Sequence, residues 1–202
     1  MTWLTYVACG AIGYLLGCFS TAYIASTLIA RKDIRNYGSG NAGTSNMLRT
    51  FGVTMGILTF IGDVAKGVGA VLLGRLIGGA LGECLAGFFV IIGHIYPFVL
   101  GFKGGKGIAT IAGVLCVIYP VPGLILVGAC VLIIALTRMV SVGSLIGCVA
   151  MPIMSYFLGP DHYCRIVMFL LIAIVSIVAH RSNIVRLLKG TENKFDFSKL
   201  KK

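Results

Sequence analysis

Six apolar runs occupy most of the chain: Trp3–Ala30, Phe51–Ala80, Cys84–Leu100, Ile108–Leu136, Val140–Leu158 and Cys164–Ala179. A helix needs about 20 apolar residues to cross the hydrocarbon core of a bilayer, so these runs predict a bundle of membrane-spanning helices. Composition agrees. The 202 residues are 58% hydrophobic and 11% charged, against about 25% charged in a soluble domain, and the mean hydropathy is +1.00. No stretch is long or polar enough to form a separate soluble domain, so residues 1–202 are expected to be a single all-α integral membrane domain.

The number of spans turns on Ile108–Leu136, which is long for one helix and short for two. Tyr119-Pro120-Val121-Pro122-Gly123 places a turn signal at its middle. As one span, this run would put Arg138 and the basic tail on the opposite side from the earlier polar segments. As two, all of them share the cytoplasmic face. Only the turn containing Asp161 and the loop near Glu83 then face out, with Arg75 and Arg165 the only basic residues near that side. The excess of Lys and Arg on cytoplasmic loops favours the second arrangement: seven spans, amino terminus outside and carboxyl terminus inside. It requires two helices of roughly 15 residues, about 22 Å each, with Gly105–Gly107 extending one of them or the bilayer thinning locally.

Leu15-Leu16-Gly17-Cys18 resembles a lipoprotein cleavage site, but no Lys or Arg precedes the run, and Arg31, Lys32 and Arg35 follow it. That charge order describes an uncleaved span. The seven cysteines, Cys9, Cys18, Cys84, Cys116, Cys130, Cys148 and Cys164, lie in or beside apolar segments without a CxxC pair. They read as small apolar side chains rather than zinc ligands or a disulfide framework. Glycines within the spans, such as Gly10, Gly13, Gly17, Gly67, Gly69 and Gly74, read as helix-packing positions. The net charge of +11 is scattered at the ends of apolar runs. It therefore speaks for membrane topology and anionic small molecules, not for nucleic acid.

Three polar segments interrupt the hydrocarbon. In Gly38–Arg49, three glycines permit positive φ and leave backbone N–H groups uncovered, forming a nest for an anion. Ser39, Asn41, Thr44 and Asn46 add neutral donors, and Arg49 can fork onto phosphate oxygens. The second segment, Lys103–Thr110 behind Gly93-His94-Ile95-Tyr96-Pro97, contains Gly104-Gly105-Lys106-Gly107. It is not a phosphate-binding Walker loop, since Gly107 stands where Ser or Thr should follow the lysine. Gly-Gly-Lys-Gly at a helix start still offers N–H groups, a positive helix end and an ammonium to phosphate. In His180–Glu192, His180 and Asn183 lie three apart on one helical face, Arg186 continues it, and Glu192 is one of only six carboxylates in the chain.

Two smaller features accompany them. Asp63 and Lys66 stand three apart inside an apolar run, either as a self-neutralising pair or as part of a site. Arg138, Ser141 and Ser144 share a helical face at the end of a span and offer hydroxyl donors.

GSGNAGTSNMLRTFG, GDVAKG, GHIYPF–GFKGGKGIAT, TRMVSVGS and HRSNIVRLLKGTE, in this order from Gly38 to Glu192, resemble the bacterial acyl-phosphate:glycerol-3-phosphate acyltransferases, the PlsY family. Ala42-Gly43-Thr44-Ser45 departs from the expected Gly-Ala-Thr by a small-residue exchange. The resemblance implies acyl transfer from acyl phosphate to the sn-1 hydroxyl of glycerol 3-phosphate, giving lysophosphatidic acid and phosphate at the bacterial inner membrane. It implies that Ser39, Arg49, Lys106 and Ser144 clamp phosphate and that His180 and Asn183 position glycerol 3-phosphate. Asn41 and the Gly38–Gly43 backbone would line the acyl-phosphate side, Glu192 would orient basic residues, and the acyl chain would lie between helices. His180, Asn183 and Lys106 are the catalytic candidates, with either His180 or the donor phosphate taking the hydroxyl proton.

An acyl phosphate is a mixed anhydride with a good leaving group, so no covalent enzyme nucleophile is required. Two anions must instead be held together, which suits an excess of Lys and Arg. The chain lacks the His-x-x-x-x-Asp pattern of thioester-dependent acyltransferases, since Val99, Val167 and Val185 stand five after His94, His162 and His180. It also lacks the several aspartates of metal-dependent phosphotransferases, so no metal or other cofactor is expected. The expected partners are the two substrates and membrane lipid, with no nucleic acid and no obligate protein partner. Two other classes compete. An anion transporter should carry polar residues or broken helices near the midplane. A purely structural membrane protein has no need of Asn and Ser at fixed spacing from Arg.

Overall fold

A computed structural model describes residues 1–158 and 163–195. The turn carrying Asp161, expected on the outer face, lies outside the described residues. Among them every regular element is helical: α1 (Trp3–Cys18), α2 (Thr21–Leu28), α3 (Thr44–Phe51), α4 (Val53–Ile95), α5 (Ile108–Ile118), α6 (Pro120–Thr137), α7 (Val140–Leu158), α8 (Tyr163–Ala179) and α9 (Arg181–Leu188), with 3₁₀ turns at Ile34–Asn36 and Phe98–Leu100. Four stretches are long and apolar enough to cross a membrane: Trp3–Leu28, Val53–Leu100, Pro120–Thr137 and Val140–Leu158. The pair α8 and α9, bent by 61°, makes a fifth if counted as one span. The chain forms two compact units, Met1–Ile118 and Tyr119–Lys202.

In the first unit, α4 would be about 65 Å long if straight, twice the hydrocarbon core. It breaks at Gly79, where φ is 60° and ψ −148°. That backbone conformation is open to glycine and strained for any other residue. The two limbs fold back on each other: a Cβ on Gly74 or Gly82 would collide with the other's carbonyl oxygen, and Arg75 Nε pairs with Glu83 Oε2 at 2.5 Å. The runs Phe51–Ala80 and Cys84–Leu100, expected as separate spans, are these two limbs.

The run Trp3–Ala30 is a broken helix. Phe19 and Ser20 are extended between α1 and α2, and the Ser20 hydroxyl oxygen accepts the Tyr23 N–H at 3.4 Å. Helix α1 lies against the second limb of α4 with its glycines inward. A Cβ on Gly13 would meet the Ala86 backbone, and one on Gly17 the Val90 carbonyl and Gly93. Helix α5 meets the first limb the same way, Gly67 against the Thr110 carbonyl and Gly113 against that of Val64. Close approach through small residues is how helices gain packing where lipid supplies no hydrophobic drive. Gly69 differs from the expected role, facing open space.

The run Ile108–Leu136 divides at Tyr119, with Pro120 in the first turn of α6 where a missing N–H costs nothing. The pieces are 11 and 18 residues rather than about 15 each, so α5 covers only about 16 Å. Gly105–Gly107 does not extend it. Gly107 has φ 83°, and the Gly104 and Gly105 N–H groups donate to the Ile95 and His94 carbonyls at 3.1 Å each.

In the second unit, α6 and α7 join through Arg138, in the left-handed region at φ 59°, and pack where Gly143 meets Ile134 and Cys130. The Tyr119 hydroxyl bonds Ser155 at 3.1 Å, and its ring lies 6.0 Å from that of Phe169, tying the start of α6 to α7 and α8. The Phe195 N–H donates to the Arg138 carbonyl at 2.6 Å, returning the tail to the α6–α7 turn.

Candidate active site

The first polar segment is a loop wound around one buried side chain. Asn46, 2% exposed, donates through Nδ2 to the carbonyls of Tyr37 and Asn41 at 3.0 Å each. Its Oδ1 accepts the Ser39 N–H at 3.0 Å. Gly38 (φ 59°) and Gly40 (φ 71°) supply the left-handed turns, and a side chain on Gly38 would collide with Asn46 Oδ1. Asn46, expected among the phosphate donors, instead organises the loop. The nest is also altered: Ser39, Gly40 and Gly43 donate their N–H groups within the loop, to Asn46, Tyr37 and Asn41. The side chains remain. Ser39 is exposed, Asn41 half-buried, and Arg49 exposed on the last turn of α3. The Thr44 hydroxyl, at the start of α3, is buried without a hydrogen-bond partner among the described residues.

Arg35, expected only as a topology charge, is a strut. It pairs with Asp33 at 2.7 Å and donates to the Leu100 carbonyl at 3.0 Å, tying the approach to the first segment to that of the second. The hydrogen bond from Arg35 holds the Asp33 carboxyl below the usual carboxylate range.

The second segment presses on the first. A Cβ on Gly105 would lie 2.8 Å from the Ala42 carbonyl and overlap His94 Nε2. The Gly104 and Gly105 amides, expected to face phosphate, are those bonded to α4. Lys106 is half-buried between Gly105 and Gly107, ahead of α5.

Asp63 and Lys66 form a buried ion pair at 3.0 Å, with side chains 2% and 4% exposed. Lys66 Nζ also donates to the Gly17 and Phe19 carbonyls, at 3.2 and 2.9 Å. It therefore satisfies the backbone opened by the α1–α2 break.

In the second unit, the chain bends at His180, which precedes α9 rather than sharing a helix with Asn183. The expected common face is replaced by a corner in which the Asn183 N–H donates to the His180 carbonyl at 2.8 Å. His180 is 2% exposed, and its Nδ1 lies 2.8 Å from the Ser176 carbonyl. In the neutral ring this makes Nδ1 the protonated nitrogen and Nε2 the acceptor. Glu192 takes Asn183 Nδ2 on Oε1 at 2.8 Å and Arg186 Nε on Oε2 at 2.9 Å, so it orients both. Arg138 lies outside the helix that carries Ser141 and Ser144. The Ser144 hydroxyl donates to the Val140 carbonyl at 2.9 Å. That of Ser141, 4% exposed, has no partner among the described residues. Two buried hydroxyls, Thr44 and Ser141, thus stand in first helical turns, where backbone amides also point outward. Sequence pattern named both without distinguishing them from their neighbours.

Known proteins give the arrangement its context. The family profile "Glycerol-3-phosphate acyltransferase" matches residues 7–190. A glycerol-3-phosphate acyltransferase of Clostridioides difficile (strain 630) is 42% identical over 198 residues, 94% of this chain and 95% of that one. The crystal structure of PlsY (YgiH), an integral membrane glycerol 3-phosphate acyltransferase, in its glycerol 3-phosphate form superimposes with a TM-score of 0.89. It is 32% identical and covers 95% of this chain and 96% of that one. The lysophosphatidic acid form gives 0.87 at 29% identity, covering 96% and 97%. With five ordered motifs, an all-helical membrane architecture and this extent of match, the chain belongs to the glycerol-3-phosphate acyltransferase family.

Proposed function

We propose that the protein transfers a fatty acyl group from acyl phosphate to the sn-1 hydroxyl of glycerol 3-phosphate, releasing phosphate and lysophosphatidic acid. In this reading it works as one domain in the bacterial inner membrane, with seven spans, its amino terminus outside and its chemistry on the cytoplasmic side. The observation that carries the reading is the fold-wide likeness to an acyltransferase solved in glycerol 3-phosphate and lysophosphatidic acid forms. The polar residues of this chain add cations and oriented amide and hydroxyl groups suited to two phosphate-bearing reactants.

The hydroxyl oxygen of glycerol 3-phosphate attacks the acyl carbonyl carbon, the bond from that carbon to the phosphate oxygen breaks, and phosphate leaves with the electron pair. Lys106 and Arg49 offset the repulsion between the two anions, and Ser39 and Asn41 hold the donor. His180 and Asn183 place the acceptor, and Glu192 keeps Asn183 and Arg186 aimed. Positioning and charge stabilisation then supply the acceleration. The hydroxyl proton passes either to His180 Nε2 or to the donor phosphate. His180→Ala with near-normal kcat at saturating substrate would assign it to the phosphate. An assay offering acyl phosphate and acyl-CoA side by side tests the donor, and transfer from acyl phosphate alone is expected.

Of the two serines on α7, Ser141 is the better phosphate ligand, because Ser144 already donates to the backbone. A hydrogen bond to a charged group contributes about 1.5–3 kcal/mol, so Ser141→Ala should raise a substrate KM about ten- to hundredfold. Ser144→Ala should raise it less. The reverse order in steady-state kinetics would return the role to Ser144.

A further inference from the structure

Lys106 sits in a stretch with neither helical nor strand hydrogen bonding, between two glycines, on a four-carbon stem. Such a side chain is a poor clamp unless something fixes its backbone. The structure holds that something. Before the lysine, Gly105 N–H donates to the His94 carbonyl and Gly104 N–H to that of Ile95, and Gly105 lies flat against His94 Nε2 with no room for a Cβ. After it, Thr110 Oγ1 lies 3.2 Å from His94 Nδ1. One imidazole therefore touches the chain on both sides of Lys106.

The ring is itself anchored. Asp63 Oδ1 lies 3.7 Å from His94 Nδ1 and 3.0 Å from Lys66 Nζ, whose ammonium reaches the Gly17 and Phe19 carbonyls. Asp63, Lys66, His94 and Thr110 are 1%, 7%, 6% and 0% exposed. A buried ion pair is weak support for stability compared with apolar packing of the same volume. Burying a carboxylate, an ammonium and an imidazole together makes sense where a geometry has to be held.

We propose that His94 is a positioning residue that fixes Lys106, with the Asp63–Lys66 pair anchoring its ring. The proposal rests on the reading of Lys106 as a phosphate clamp.

The test is steady-state kinetics against both substrates for His94→Leu, His94→Asn, Lys106→Ala and the double variant His94→Leu/Lys106→Ala. Leucine fills the space without polarity, while asparagine restores a polar atom near Nδ1. The KM that rises in Lys106→Ala should rise about tenfold in His94→Leu, and only a fewfold in His94→Asn. In the double variant the further loss from His94→Leu should shrink to less than about twofold, since two residues acting through one contact are not additive. Multiplying losses, or a loss in His94→Leu confined to a kinetic parameter that Lys106→Ala leaves unchanged, would overturn the proposal. Should His94→Leu not fold, Thr110→Val removes the same contact from the other side and is expected to shift the same KM. Wild-type kinetics in Lys106→Ala would sink the clamp reading at that variant alone, and the positioning role with it. Impaired Lys106→Ala with unchanged His94→Leu and Thr110→Val would sink only the positioning role.

Discussion

Lys106→Ala is expected to lower kcat/KM for acyl transfer by about a hundred- to a thousandfold, the range for loss of one preorganised charge-stabilising group. Arg49→Ala should follow. In the proposed reaction two anionic reactants are brought together, and these cations are the ones assigned to offset their repulsion. Both variants should fold. Lys106 lies in a loop whose backbone is held by the Gly104 and Gly105 amides, and Arg49 is exposed at the end of α3. Unchanged circular dichroism and elution in detergent, together with lost transfer, would match. Lys106→Arg should recover only part of the rate, because a planar fork does not occupy the place of a compact ammonium. Full activity in either alanine variant would remove that residue from the clamp.

Lys66→Met is expected to destabilise the protein by about 3–5 kcal/mol, because it leaves the Asp63 carboxylate buried without its partner. The change also strips a donor from the Gly17 and Phe19 carbonyls, which sit where α1 stops hydrogen bonding to itself. Thermal unfolding in detergent should show a lower midpoint for Lys66→Met, and the double variant Asp63→Asn/Lys66→Met should recover part of it, since no uncompensated charge remains. A single variant as resistant to heat as the wild type would mean that water or another group reaches the carboxylate.

The candidate site residues were legible because of where their types stand in this chain. Lysine, arginine, asparagine and histidine between glycines stand out against hydrocarbon, and Glu192 stands out among six carboxylates. How they are arranged was not legible. Asn46 looks like Asn41 in sequence, yet its amide holds the first loop while Asn41 is only half-buried. Ser141 and Ser144 look alike, and only the distance to the Val140 carbonyl separates them. His180 and Asn183 have helical spacing, but the chain turns a corner between them. Arg35 read as a flanking charge because its acceptor, the Leu100 carbonyl, is 65 residues away.

Hydrophobicity is a property of each residue and adds along a run, so the amino-acid order alone determined that the chain is helical and lies in a membrane, and it set apart three polar segments as candidates for the chemistry. Hydrogen bonding depends on which distant carbonyl or carboxylate arrives beside a donor. Only the tertiary structure therefore decided which amides and hydroxyls are already taken, which cation braces a broken helix, and which imidazole grips the loop around Lys106.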